Sequence, residues 1–152
     1  MLGLLTNEQC LQLLQSEVVG RIGCYSKDEG LYIVPITYAF DGKFIYAHSK
    51  EGLKIQFMRK NPSVCFQVDR IENMAQWRSV IVWGEYEELK PEDYEQGMKI
   101  LKDRLAPLMT SESAKPSHGL QYPEVVIKPA KAVAFRISVH EITGRFEKTG
   151  NN

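Results

Sequence analysis

Net charge is the first thing this chain lacks. Its 19 lysines and arginines are balanced by 19 aspartates and glutamates, so no field draws it onto nucleic acid or an anionic membrane surface. Long hydrophobic runs are missing too: no apolar stretch approaches the roughly 20 residues of a membrane-spanning helix. The opening MLGLL has neither the basic segment nor the length of a signal peptide. Cysteine is scarce, and Cys10, Cys24 and Cys65 stand at wide spacing within apolar patterns. An odd number so placed suits reduced, buried thiols and argues against a disulfide framework or a metal site. The expected location is the cytoplasm. No internal repeat is visible, and no G-x-G-x-x-G stretch marks a dinucleotide site.

What is present suffices for one domain with its own core, since 152 residues at 43% hydrophobic and 25% charged are ordinary values. The most informative stretch runs from Tyr32 to Gly84. YIVPITYAF, the pair Asp41-Gly42 and KFIYAHS alternate apolar and polar residues about a turn dipeptide. That pattern predicts a hairpin over residues 32–49, closed by a two-residue turn with both central residues at φ > 0. Pro35 donates nothing to a ladder, so the strand must be an edge, bulged or open to a ligand there. Ile36, Thr37 and Tyr38 then have backbone groups able to serve something other than a sheet. In the outgoing strand, alternation sets Phe44, Tyr46 and His48 on one face and Ile45, Ala47 and Ser49 on the other. A short helix follows, with Leu53, Phe57 and Met58 on one face, ended by Arg59, Lys60, Asn61 and Pro62. At its N-terminus free N–H groups meet the Ser49 hydroxyl, Gly52 and the Lys54 ammonium, a set that can cradle a phosphate. The same residues also read as a plain N-cap at Ser49 with Lys54 in solvent, and Glu51 opposes an anion unless it turns away.

Thr6 and Gln9 form a capping box that opens a helix with Cys10, Leu13 and Leu14 on its buried side. Residues 18–26 read as a strand and residues 27–30 as a turn. After Pro62 come strands over residues 63–69 and 77–89; the second sets Trp77, Ser79, Ile81 and Trp83 on one face and bends at Gly84. Pro91, Glu92 and Asp93 start a helix whose buried stripe is Tyr94, Met98, Leu101 and Leu105, closed by Pro107. Residues 108–123 are polar and aperiodic, a loop able to close over a site. Residues 124–128 and 132–148 supply the last strands, with a tail from about residue 149.

Six or so strands joined by short turns, with only three helices, cannot form a parallel sheet, where nearly every neighbour needs a crossover. The expected fold is mainly β with flanking helices: a six-stranded antiparallel barrel in one domain over residues 1–152, carrying a helix–loop insertion at about residues 90–123. A barrel so small is filled by its own side chains. A sizeable ligand therefore belongs in an outer groove or at a subunit interface, which the aromatic faces of the third and fifth strands would bury.

GRIGC (residues 20–24), VPITYAF (34–40), FIYAHSKEGLK (44–54), MRKNPSVCFQVD (58–69) and WRSVIVWGEYEEL (77–89) follow one another, with a weaker echo in AFRISVHEITGR (134–145). Together they resemble the FMN-binding split barrels related to pyridoxamine 5′-phosphate oxidase, in particular the branch of the 5-nitroimidazole-resistance proteins. The resemblance implies a split-barrel homodimer with two FMN molecules at its interface, each touched by both chains. It implies that Pro35, Ile36, Thr37 and Tyr38 lie against the isoalloxazine. It places Ala47, His48, Ser49, Gly52 and Lys54 at the cofactor, with Ser49 and Lys54 on the phosphate, and adds flavin contacts from Trp77, Arg78, Ser79 and Val80. The chemistry suits the group: a dianionic phosphate wants a cation and hydroxyls, and a flat ring wants backbone donors at its polar edge under an apolar cover. Arg21 reads either as a ribityl or phosphate contact or as a solvent-facing strand residue. His48 matches a histidine that recurs near the flavin in the nitroimidazole-resistance branch, and reads as a general acid, a haem ligand or a hydrogen-bonded interface residue. His118 and His140 carry no assigned role.

The chain departs from the resemblance in one respect. Pyridoxamine-phosphate oxidases carry a Trp and Arg pattern for their substrate in the C-terminal part, and no tryptophan follows Leu89 here. Oxidation of that substrate is not expected. The expected activity is FMN-dependent oxidoreduction, with electrons passing from NAD(P)H or another donor to a small organic acceptor such as a nitroaromatic. The competing readings are a dimeric protein that holds FMN or haem without turnover, and a dimerisation domain with no cofactor.

Overall fold

A computed structural model of the chain describes residues 1–109 and 132–150. In chain order the elements are β1 (Leu2–Leu4), α1 (Asn7–Ser16), β2 (Val19–Ser26), β3 (Gly30–Thr37), β4 (Ala39–Phe40), β5 (Phe44–Lys50), α2 (Leu53–Lys60), β6 (Ser63–Asn73), β7 (Gln76–Glu88), α3 (Pro91–Leu105) and β8 (Ala132–Glu147), with a 3-10 turn over Ala106–Met109 continuing α3. The strand expected over residues 124–128, most of the loop expected over 108–123, and His118 lie outside the described residues.

The described strands form one antiparallel sheet in the order β3-β2-β6-β7-β8-β5-β4, with β1 added on β8. The long β8 joins the two halves: Ala132 to Ser138 pair with β5, while Phe135 to Glu147 pair with β7. The sheet curls round Ile22, Phe66, Val68, Val80, Val82, Phe135 and Ile137, none of which reaches solvent, and Leu14 of α1 with Ile55 and Met58 of α2 plug the barrel. α1 begins as its capping box predicts: Gln9 N donates to Thr6 Oγ1 and Thr6 N donates to Gln9 Oε1.

Among the described residues eight strands stand where six were expected, for two reasons. β1 is too short and too exposed to carry a periodic signal. The strand expected over residues 32–40 divides at Tyr38, whose ring is wholly buried, edge-on to Phe66 at 4.8 Å, with its Oη donating to Leu14 O at 2.8 Å. Before Tyr38 the chain pairs with β2; after it, only Ala39 and Phe40 pair with β5. The connection is a two-residue turn as expected, but its central residues are Gly42 and Lys43 rather than Asp41 and Gly42: Asp41 N donates to Phe44 O at 3.2 Å, Gly42 alone has φ > 0, at 99°, and Asp41 Oδ1 accepts the N–H groups of Lys43 and Phe44 at 2.8 and 2.7 Å.

Three faces also differ from their periodicity. In α2 the residues that meet the core are Ile55, Phe57 and Met58, while Leu53, at the first helical position, is exposed beyond the end of the barrel. In α3 only Gly97 and Leu101 are buried, and Tyr94 is exposed. Cys10 and Cys24 are buried free thiols, but Cys65 is exposed because its position in β6 points outward, opposite Gly23 and Trp83. Among the described residues no helix is long and apolar enough to cross a membrane.

β7 and β8 shift register between Trp83 and Gly84, where a Cβ on Gly84 would stand 2.1 Å from Ser138 O. Gly84→Ala is therefore expected to cost about 1–3 kcal/mol through overpacking against backbone, read as a lower urea midpoint at unchanged m; an unchanged midpoint would mean the strands part freely there. Burial, reinforced by nearby Glu17 and Glu88 respectively, pushes the Tyr38 and Tyr86 phenols well above their ordinary value. An unfolded tyrosine titrates near about 10, so above that pH only the unfolded state releases these protons, and stability, full below it, falls as pH rises. Urea midpoints measured from pH 8 to beyond about pH 10 should show that fall, and Tyr38→Phe should make it shallower while costing about 1 kcal/mol at neutral pH for the lost bond to Leu14.

Candidate functional site

Because Tyr38 is drawn into the core, the three residues before it are left at the end of an exposed strand. Among the described residues β3 closes the sheet on that side and pairs only with β2, so one edge of its backbone has no ladder partner there and Pro35 is tolerated. Close by, β5 runs out at Lys50 and α2 begins after Gly52. Among the described residues no side chain caps α2, whose N-cap is Gly52, so its first-turn N–H groups and the positive end of its dipole are not matched by a cap there. These three segments enclose an open recess of about 310 Å³ lined by Val19, Pro35, Ile36, Thr37, His48, Ser49 and Lys54.

The charges around it favour an anion. Lys54 has no ion-pair partner among the described residues. Glu51 is turned away onto Arg59, which also holds Glu88, so the carboxylate that opposed a phosphate in the sequence is already neutralised. Ser49 is not the N-cap of α2; that position is Gly52, which stands outside the recess lining. The Ser49 hydroxyl donates to Lys50 O at 2.9 Å, an exposed bond that it would exchange to donate to an anion in the recess. His48 is exposed and Ala47 wholly buried, as strand alternation requires, yet His48 and Ser49 both border the recess because the strand ends there.

Other residues marked in the sequence lie elsewhere. The rings and side chains of Tyr38, Ala47 and Val80 belong to the barrel core. Arg21 stands opposite Pro35 on the outer face of the sheet but turns to Asp69 Oδ1 at 3.4 Å and Gln67 Oε1 at 3.5 Å. Gln67 Nε2 in turn donates to Asp69 Oδ2 at 2.8 Å and to Ser79 Oγ at 3.0 Å. Gln67 and Asp69 went unmarked in the sequence, although their alternation with buried Phe66 and Val68 sets them on the same outward face as Arg21 and Ser79. Trp77 and Arg78 line a separate cavity of about 400 Å³ beside Met1, Gln9, Arg70 and Phe146, where Trp77 Nε1 donates to Glu147 Oε2 at 3.0 Å. Within one chain they do not meet the recess.

Around the Arg21 cluster the outer face of β3, β2, β6 and β7 is apolar. The register aligns Ile33, Gly23, Cys65 and Trp83 in one row and Pro35, Arg21, Gln67 and Ile81 in the next. Leu31 is 86% exposed, Ile33 71%, Trp83 42% and Ile81 39%.

Comparison with known proteins agrees with this architecture. The family model described as pyridoxamine 5′-phosphate oxidase matches residues 6–146. An uncharacterised protein of Rhizobium meliloti is 40% identical over 85 residues, and the match spans little more than half of either, 56% of each. Among solved structures, a FAD-binding protein from Mesorhizobium loti has a TM-score of 0.77 at 30% identity, covering 98% of both chains. The FAD-binding protein from Mycobacterium smegmatis has a TM-score of 0.65 at 22% identity, covering 95% of this chain and 98% of that one, and shares the fold.

Proposed function

The chain belongs to the pyridoxamine 5′-phosphate oxidase family, and from that premise we propose that it is a homodimeric flavoprotein that holds FMN and uses it to reduce a small organic acceptor with electrons from NAD(P)H or another donor. The observation that carries this reading is the recess: an unpaired ammonium, a hydroxyl and an uncapped helix N-terminus on one side, and an edge strand with free backbone on the other. A phosphate monoester finds there both its counter-charge and its donors. Lys54, Ser49 and the first turn of α2 would hold the phosphate, and the Pro35-Ile36-Thr37 edge would face the ring system, with Val19 as apolar cover. FMN supplies the electron transfer that no side chain of the chain offers. His48, exposed and bordering the recess, would hold an acceptor by hydrogen bond and give it a proton.

The dimer rests on the outer face. An apolar surface of that extent about a polar centre has the composition of a subunit interface. A second copy packed on it would cover Ile33, Ile81 and Trp83 and would let Trp77, Arg78 and Ser79 of one chain approach the recess of the other. FAD is the second reading, favoured by the Mesorhizobium loti relative; its phosphate needs the same recess.

The absorbance spectrum of the purified protein, with chromatography of the released cofactor, decides between FMN, FAD and no flavin. Lys54→Ala is expected to weaken FMN binding about tenfold or more, the loss of one charge-assisted bond, while riboflavin, which lacks the phosphate, binds both forms alike. Wild-type protein indifferent to FMN, or equal FMN affinity in the variant, would refute the assignment. Anaerobic bleaching by NAD(P)H followed by reoxidation with a nitroaromatic tests turnover, and a monomer in sedimentation overturns the dimer.

A further inference from the structure

The apolar stripe of α3 is only partly covered among the described residues. Periodicity directs Tyr94, Met98, Leu101 and Leu105 to the core, yet only Leu101 is buried and Tyr94 is 45% exposed. The stripe instead forms a wall of an open trough of about 930 Å³, lined also by Thr37 and His48. That volume lies within the roughly 300–1,000 Å³ typical of small-molecule sites. The wall is held firmly. Gly97 lies so close to the barrel that a Cβ there would stand 2.5 Å from Leu89 Cδ1 and 3.2 Å from Tyr46, Leu101 packs with Ala39 and Tyr46, and Asp93 faces Arg136 at 3.8 Å.

Charge along the trough is polarised. Lys99 is engaged by Asp103. Lys102 and Glu95 have no ion-pair partner among the described residues, and seven helical residues separate them by about 10 Å. One end of the trough is therefore basic and the other acidic, with Met98 and Leu101 between them and Tyr94 and Leu105 beyond. Thr37 and His48 line both this trough and the recess of Lys54, so whatever lies in one adjoins what lies in the other.

We propose that the trough binds the second substrate, a flat and largely apolar organic anion such as an aromatic carboxylate, with its charged group at Lys102 and its ring along the α3 stripe beside His48. The role as a substrate site rests on the recess being the flavin site; the binding itself does not. The probe is 1-naphthoate, titrated by calorimetry into wild-type protein with and without FMN. Naphthoate is expected to bind both forms and to perturb the flavin spectrum of the loaded one. Lys102→Glu should weaken it about five- to tenfold, Glu95→Gln should leave it unchanged or tighter, and neither should alter FMN affinity, since neither residue lines the recess. Neutral 1-naphthalenemethanol should bind wild-type more weakly than naphthoate and be indifferent to Lys102→Glu. No naphthoate binding, or binding that ignores Lys102→Glu, overturns the proposal. So does a loss of FAD but not FMN affinity in Lys102→Glu, with FAD displacing naphthoate, because the trough would then belong to the cofactor's adenylate. If the protein takes up no flavin while naphthoate binds in a Lys102-dependent way, the trough stands as an anion site and the flavoenzyme reading falls.

Discussion

One buried hydroxyl organises the recessed side of this barrel. Tyr38 carries its ring into the core and satisfies its Oη on Leu14 O, since a phenol left unbonded there would cost about 1–3 kcal/mol. Meeting that demand takes the chain out of β3 one residue after Thr37 and re-enters it on the far side of the sheet as β4. The split in the barrel is the gap so produced. Pro35, Ile36 and Thr37 line it at the end of β3, where Tyr38 N makes a last bond to Val18 O at 2.9 Å before the chain leaves the pairing.

The opposite lip of the gap depends on α2. Ile55 and Met58 are sunk in the barrel with no exposure, and Phe57 meets the Tyr32 ring at 5.5 Å. This packing fixes the helix axis, and its uncapped first turn lies where β5 lets the chain go. Arg59 and Lys60 sit at the other end, where cations suit the dipole, and Arg59 draws Glu51 away from the N-terminal end. The electropositive character of the recess is thus produced by apolar packing at one end of a short helix and by an ion pair that removes the competing carboxylate.

Much of this was legible in the residues. Ser49 and Lys54 announce themselves by following a strand and opening a helix, Gly84 marks the bend, and the capping box at Thr6 places α1. The break at Tyr38 was hidden because the strand-favouring run continues past it into Ala39 and Phe40 without a turn residue; only the depth of the core decides that a tyrosine there must turn inward. Leu53 and Tyr94 fit their helical periods as well as any core residue, but periodicity says which residues share a face and not whether a neighbour is present to cover it. Gln67 and Asp69 escaped notice because a polar pair on an outward strand face looks like ordinary solvation until the register sets it against Arg21 and Ser79.

The span of β8 bears on how the molecule comes together. It is the central rung between the halves, paired with β5 on one side and β7 on the other, yet it is the last described strand of the chain. Contacts so distant in sequence carry a large loop-closure penalty and form late. Until they do, the inner edges of both halves stand open with unpaired amides beside apolar side chains, the condition under which nascent β-proteins cross-associate. In a split barrel of this topology, closure of the sheet therefore waits on that one segment.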